Sequence, residues 1–248
     1  MGAPRLGLFG LGAFGRLMVR HLAPYFDIRA CDPSPAAKRF ARRHNIALAD
    51  LEEAAACPIV VLAAPVKALR ALAHEIAPHV RPRAIVLDVG SVKLGPAQWL
   101  EDAMPAHADL VCTHPLFGPQ SARTGVYGLE IVVCPVRSRR TRRVTRFLEH
   151  ALDLKVSTTT PEAHDRALAT VQGLTHLIAK VLSGLEPLPR EHTTASYDLL
   201  MQGVSYVQGD SEELFLAIER DNPFAPDVRR RFFAEIAALR ERLEEGTG

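Results

Sequence analysis

Apolar and polar positions change rhythm once along this chain, near residue 160. Before it, short apolar runs alternate with stretches in which apolar residues recur three and four apart. "RLGLFG" (5–10) reads as a strand closing on glycine, and "AFGRLMVRHLA" (13–23) as the helix behind it. "DIRACD" (27–32) is the second strand. "PSPAAKRFARRH" (33–44) opens the second helix, with Ser34 able to cap it and Pro35 suited to its first turn. "CPIVVLAAP" (57–65) is a nearly continuous apolar strand and "VKALRALAHEIAPHV" (66–80) its helix. "RAIVLDVGSVK" (83–93) is a fourth strand with its loop. "ADLVCTHP" (108–115) and "LEIVVCP" (129–135) are two more strands. A helix from about Ser138 to Ala151 separates the last of them from "KVSTTT" (155–160). Short apolar strands alternating with helices predict a parallel sheet covered on both faces, joined by right-handed crossovers.

After residue 160 only the helical period remains. "TPEAHDRALATVQGLTHLIAKVLSGL" (160–185) is one long helix, opened by a Thr160 cap with Pro161 and Glu162 in its first turn. "PLPRE" breaks the pattern. "TTASYDLLMQGVSYVQG" (193–209), "SEELFLAIERD" (211–221) and "APDVRRRFFAEIAALRERLEEG" (225–246) follow as helices. The expectation is an α/β, doubly wound domain over 1–158 and an all-α domain over 159–248. The second is too small and too amphipathic to bury its apolar face alone, so a homodimer through these helices is expected.

Composition narrows the classes. Of 248 residues, 48% are hydrophobic and 23% charged, the balance of an ordinary globular protein. A net charge of +2 gives no reason to expect nucleic acid or an anionic membrane as partner. The run "RSRRTRR" (137–143) reads as the solvated start of a helix. No stretch reaches the ~18 uninterrupted apolar residues of a membrane span, and the first apolar run is a patterned strand rather than a leader. Cys31, Cys57, Cys112 and Cys134 lie in or beside strands, without the close pairing of a metal or redox site. They read as small buried hydrophobes, and the expected location is the cytoplasm.

The first chemistry lies in "GLFGLGAFGRL". Gly10, Gly12 and Gly15 stand in G-x-G-x-x-G order between a strand and a helix. Gly10 permits the tight turn, Gly12 lets the backbone approach a pyrophosphate, and Gly15 lets helix and strand pack closely. Leu11, Ala13 and Phe14 complete the turn, whose helix N-terminus offers amide donors to phosphate. Asp32 follows at the end of the second strand, at the spacing of about 20 residues that a ribose-binding acid takes. An acid there favours NAD over NADP, while Ser34, Lys38 and Arg39 just beyond it would serve a 2′-phosphate. Ala63, Ala64 and Pro65 form a small smooth loop at the next strand end, which reads equally as a plain helix start.

The fourth strand ends in "DVGSVK", where Gly90 allows close backbone approach, Ser91 offers a hydroxyl and Lys93 a charge if it points inward. The next strand ends in "THPLFGPQS". It sets His114 at the carboxyl edge of the sheet, where ligands of such sheets bind, with Gln120 and Ser121 in the loop behind. A histidine beside an expected nicotinamide reads as a proton acceptor, because oxidising an alcohol by hydride transfer requires its O–H proton to be taken up.

"GLGAFG", "DVGSVK" and "THPLFGPQSA", followed by a helical "HDRALATVQGLTHLIA", together resemble the prephenate/arogenate dehydrogenase family of tyrosine biosynthesis. The likeness is to its compact form, without a fused chorismate mutase or regulatory domain. It implies NAD(P)-dependent oxidative decarboxylation of a cyclohexadienol. By that resemblance His114 matches the catalytic histidine and Ser91 the serine on the same hydroxyl. His176 lines the substrate pocket together with Gln172, and His164 is either a second histidine near the site or a buried structural residue. The C-terminal arginine that grips a substrate carboxylate in several bacterial relatives has no counterpart in "TTASYDLLMQGVSYVQGDSEELF". Tyr197 and Asp198 stand there instead, and the stretch resembles the plant arogenate enzymes. An acid would suit the ammonium of arogenate, which leaves Lys93 or Arg123 to hold a carboxylate.

Two other classes compete. A β-hydroxyacid dehydrogenase would use a helix lysine, and Lys180 is so placed, but no asparagine follows one turn later. An NAD-sensing dimer would have no use for His114 and Ser91 converging on a nicotinamide.

Overall fold

The computed structural model describes residues 2–185, 187–189 and 191–245. It divides into two compact units, Met1–His164 and Asp165–Gly248. Arg190 of the "PLPRE" break and Gly246 of the last helical stretch lie outside the described residues.

The first unit is built on one eight-stranded sheet in the order β3-β2-β1-β4-β5-β6-β7-β8. Its strands are β1 (Arg5–Phe9), β2 (Asp27–Cys31), β3 (Ala47–Leu48), β4 (Ile59–Leu62), β5 (Ile85–Asp88), β6 (Asp109–Pro115), β7 (Glu130–Arg137) and β8 (Lys155–Thr158). The helices are α1 (Ala13–Leu22), α2 (Pro35–Arg43), α3 (Leu51–Ala55), α4 (Val66–Ile76), α5 (Leu94–Ala103) and α6 (Thr141–Ala151). β3 through β6 run parallel, with the chain reversing direction across the sheet between β1 and β4, so a crevice opens at their carboxyl ends.

The sheet departs from the all-parallel expectation at β7, which pairs antiparallel with β6. The chain reverses through the loop 116–129 rather than through a crossover helix. β8 then pairs parallel with β7. Pro135 fits inside β7 because it faces Val111 next to a register shift, where the ladder does not demand its missing N–H. The periodicity also passes over β3, α3 and α5, which are too short or too weakly patterned to stand out.

Two layers of side chains flank the sheet. On one face Leu62, Val86 and Cys112 pack against Leu69, Ala73 and Ile76 of α4 and Leu100 of α5. On the other, Leu6, Leu8, Ile28 and Val61 meet Val19 and Leu22 of α1 and Ala37 and Ala41 of α2. Burial, then Asp88, pushes the Cys112 thiol well up, so it stays protonated and packs as an apolar group. The Ser34 hydroxyl caps α2 by accepting from Ala37 N at 3.2 Å.

Helix α7 (Pro161–Gly184) opens with Thr160 accepting from Ala163 N at 3.2 Å and continues into the second unit. There follow α8 (Ala195–Val207), α9 (Glu212–Leu216), a wide helical turn over Ala217–Asp221 and α10 (Ala225–Glu244). "SEELFLAIERD" is therefore not one regular helix: its second half widens to π geometry. Within this unit Asn222 donates to Asp165 O at 2.7 Å, and Arg229 donates to both the carboxylate and the carbonyl of Glu219 at 2.8 Å. Among the described residues no helix is long and apolar enough to cross a membrane.

Candidate active site

The glycine turn joins β1 to α1. Gly10 sits at φ 102°, and a Cβ on it would lie 2.6 Å from Ala63 O, so both conformation and packing demand glycine. A Cβ on Gly15 would lie 2.1 Å from Gly10 O. Gly12 is different. Its φ is −66°, open to any residue, and nothing stands within 4 Å of where its Cβ would be. The protein's own packing gives no reason for glycine there, whereas a ligand pressed against the backbone does. Leu11 turns its side chain into the core, while Ala13 is exposed and Phe14 half-buried at the start of α1.

Asp32 stands beside this turn. Its Oδ2 accepts from Leu11 N at 2.7 Å and its Oδ1 from Ser34 N at 2.8 Å. Partial burial works to raise its pKa. The two backbone donors, the Ser34 hydroxyl and the nearby Arg16 outweigh that, and the carboxyl lies below its ordinary value. The group stays ionised, with acceptor capacity left for a further donor. Ser34 is exposed and engaged as the α2 cap, and Lys38 and Arg39 are exposed on α2. Ala63 and Ala64 are half-buried under the Gly10 turn, and Pro65 takes the position just before α4, as the helix-start reading expected. A dinucleotide fits these residues: an open approach at Gly12, free first-turn amides on α1, and an anion at the neighbouring strand tip.

The reactive half rests on β5 and β6. Asp88 is paired with Cys112, so Ser91 and His114 leave neighbouring strand tips on the carboxyl edge. Thr113 clamps the two strands by donating from Oγ1 to Asp88 O at 2.7 Å. Ser91 is 6% exposed, and its hydroxyl oxygen is buried without a hydrogen-bond partner. A buried hydroxyl without a hydrogen bond costs free energy, so this one is open to a ligand or to water. His114 is 4% exposed, and its Nδ1 lies 2.9 Å from Nε2 of His164, with ring centroids 5.0 Å apart at 67°. Burial, then His164, then Lys93 hold the His114 imidazole well below its ordinary pKa. It is neutral at physiological pH and able to accept a proton.

Lys93 corrects an expectation. It is wholly buried, ion-paired with Asp88, and donates to Thr113 O at 2.7 Å. Its ammonium is committed beneath the strand tips and does not face a substrate carboxylate. Asp88 also accepts from Gly90 N at 2.9 Å, so the "DVGSVK" loop closes on its own acid. Ser121 is likewise engaged locally, accepting from Gly118 N at 3.0 Å and donating to Gly118 O at 3.3 Å. Gln120 is half-buried, its backbone carbonyl accepting from the exposed Arg123 Nε at 3.0 Å. Phe117, in the same loop, meets Phe14 of α1 with centroids 6.2 Å apart, which ties the loop to the cofactor turn.

In the helical unit, His176 is buried with Nδ1 2.9 Å from Gln172 O and Nε2 3.1 Å from Asp210. Asp198 is exposed on α8, so the acid that the structure brings to a candidate substrate residue is Asp210. Sequence reading missed Asp210, which is 34 residues away with no motif to signal it. It also missed Asp88, although an acid closing an apolar strand five residues before a lysine was a usable sign.

A family model described as prephenate dehydrogenase, nucleotide-binding domain, matches residues 17–158. The match begins beyond the glycine turn, so the two observations are independent. The Methanocaldococcus jannaschii probable arogenate/prephenate dehydrogenase is 26% identical over 203 residues, covering 77% of this chain and 45% of that protein. Arogenate dehydrogenase 1, chloroplastic, of Arabidopsis thaliana is 26% identical over 249 residues, covering 96% and 39%. The chain thus spans less than half the length of these two curated relatives. The prephenate dehydrogenase of A. aeolicus, solved with hydroxyphenyl propionate and NAD+, shares the fold at a TM-score of 0.76 and 17% identity, over 99% of this chain and 92% of that one. Synechocystis arogenate dehydrogenase does so at 0.66 and 19%, over 97% and 93%.

Proposed function

The chain belongs to the prephenate dehydrogenase family, and on that premise we propose that it oxidatively decarboxylates arogenate, prephenate or both, with NAD as the favoured acceptor, in the cytoplasm. The observation that carries this reading is a neutral, buried His114 on one strand tip and, on the adjacent strand tip, Ser91 with its buried hydroxyl unpartnered.

A nicotinamide bound here would supply the acceptor for the hydride of the hydroxyl-bearing ring carbon. The chain's residues do the rest. Gly10, Gly12 and the first turn of α1 would bind the pyrophosphate, and Asp32 would take the ribose hydroxyls and repel a 2′-phosphate. Ser91 and His114 hold the substrate hydroxyl. As hydride leaves, positive charge grows on that oxygen, and His114 takes a share of its proton. Loss of CO₂ sends the C–C bonding pair into the ring, and the proton returns to what is now a phenol oxygen. No net proton is released, so the imidazole has to be a reversible acceptor, which its lowered basicity supports.

The arogenate preference is supported by the likeness to the chloroplastic arogenate dehydrogenase 1 over 96% of this chain. The β-hydroxyacid alternative loses support at Lys180, whose ammonium bonds Glu212 at 2.6 Å on the surface and lies over Phe215. A homodimer is part of the proposal. Phe233, Ile236, Leu239 and Leu243 form an exposed apolar stripe on α10, and Leu199 and Leu200 are exposed on α8.

The test is a comparison of kcat/KM for both substrates with both dinucleotides, in wild type and in His114→Asn. Turnover of arogenate above prephenate with NAD is expected. His114→Asn should lose about 10²–10⁴ in rate while retaining dinucleotide affinity. Absence of turnover with either substrate overturns the reading.

A further inference from the structure

We propose that His164 is the positioning residue that fixes the tautomer of His114, and so makes Nε2 of His114 the proton acceptor. The inference rests on the reaction proposed above for its consequence, but not for its geometry.

The N···N distance of 2.9 Å between His114 Nδ1 and His164 Nε2 allows only one proton between the two rings. There are two ways to place it. If His164 donates, His114 accepts at Nδ1, and a neutral His114 must carry its own proton on Nε2. That arrangement turns a donor toward the substrate and cannot take up a hydroxyl proton. If His114 donates, its Nε2 keeps a lone pair, and His164 carries its proton on Nδ1. Only the second arrangement makes His114 a base.

Geometry also limits the rotation of the ring. His114 is 4% and His164 2% exposed, so water does not compete for the shared proton. His114 leaves a strand whose backbone is clamped through Thr113 to Asp88, and His164 lies in the second turn of α7, its N–H bonded to Thr160 O at 3.0 Å. Both partners therefore stand on regular elements rather than on the loop. The charged groups around His114 are the Lys93 ammonium and, bonded to it, the Asp88 carboxylate. A fixed cation nearby disfavours a second proton on His114 at rest. When the hydroxyl proton arrives at Nε2, the Nδ1–H bond to His164 strengthens as a charge-assisted one, and the charge is shared across the pair. The role is that of an orienting partner: His164 touches neither substrate nor dinucleotide in this scheme.

The sequence gives this pairing no local sign. His114 and His164 are 50 residues apart, on a strand tip and on a helix separated from it by β7, α6 and β8.

The test has a spectroscopic and a kinetic arm. In histidine-labelled protein without substrate, ¹⁵N NMR at neutral pH should find His114 protonated at Nδ1 and unprotonated at Nε2. His164→Leu should lose that preference and lower kcat by about 10- to 10³-fold, a wrong-tautomer effect, with the dinucleotide KM unchanged. His164→Gln, whose amide oxygen accepts the same N–H, should recover most of the rate. If His164→Leu does not fold, the wild-type spectrum and the Gln variant decide. His114 protonated at Nε2 in the wild type, or a folded Leu variant with wild-type kcat, overturns the proposal. Should wild type turn over neither substrate, the functional reading fails separately, and the spectrum alone judges the pairing.

Discussion

Gly10 and Gly12 are two residues apart in one turn, yet substituting each by alanine should break different things. At Gly10 the added Cβ meets Ala63 O at 2.6 Å, on backbone that cannot swing away, and φ of 102° is strained for any L side chain. The conformational part alone costs about 1–3 kcal/mol, and the overlap forces the end of β4 to move. Gly10→Ala should therefore lose about 3 kcal/mol or more of stability. At Gly12 the new methyl touches nothing within 4 Å, and φ of −66° is ordinary. Reduced freedom in the unfolded chain stabilises by about 0.4–1 kcal/mol, and alanine is poorer than glycine just before a helix by a similar amount. The two nearly cancel, so Gly12→Ala should unfold within about 1 kcal/mol of wild type. Its methyl instead occupies the approach of the pyrophosphate. Losing one hydrogen bond to a charged group costs about 1.5–3 kcal/mol, or about 10- to 100-fold in Kd. Urea unfolding and calorimetric titration with NAD separate the two variants. Wild-type affinity in Gly12→Ala, or equal destabilisation by both substitutions, refutes the reasoning.

Three further outcomes are expected. Lys93→Met leaves the Asp88 carboxylate buried and unpaired, and should cost about 3–5 kcal/mol in urea unfolding, whereas Asp88→Leu with Lys93→Met together should recover most of it; a loss below about 1 kcal/mol for the single variant contradicts the assignment of the pair as structural. His114 has its pKa lowered on folding, so below about 6.5 the unfolded chain takes up a proton that the folded one refuses, and stability falls as pH drops from 6.5 toward the folded value. That slope should be reduced in His114→Asn when unfolding is followed from pH 5 to 8, the remainder coming from His21, whose pKa burial also lowers. Asp32 also has its pKa lowered, but as an acid its contribution is complete above 3.8 and is lost as pH falls through the folded value. Asp32→Asn should flatten the acid side of the stability curve and raise the NADP-to-NAD ratio of kcat/KM; an unchanged ratio removes Asp32 from cofactor choice.

What could be read in advance followed locality. The glycine turn, the Ser34 and Thr160 caps and the strand tips at Ser91 and His114 are set by residues within a few positions of each other, and the chain's periodicity exposed them. The reversal at β7 was hidden because a buried strand has the same apolar run whichever way it points. Lys93 does point inward, but its ammonium is taken by the Asp88 carboxylate and the Thr113 carbonyl rather than left for a substrate carboxylate, a pairing across two strand ends that its own neighbours in sequence do not show. The pairs His114–His164 and His176–Asp210 span 50 and 34 residues, distances at which side-chain type alone says nothing of proximity. Asp198 was the acid that chain position suggested, and helix phase turns it to solvent.

The return of the chain through β7 has an evolutionary consequence. A crossover helix must match the sheet in length and packing, but this hairpin-like excursion is held at its two stems and by a few anchors, Phe117 against Phe14 and Ala122 and Val126 in a small core with Leu17 and Leu154. Between those anchors the segment from Leu116 to Leu129 can lengthen, shorten or change its side chains while β6 and β7 stay in register. Diversification of what this scaffold accepts would be cheapest there, with the hydride-transfer apparatus inherited untouched.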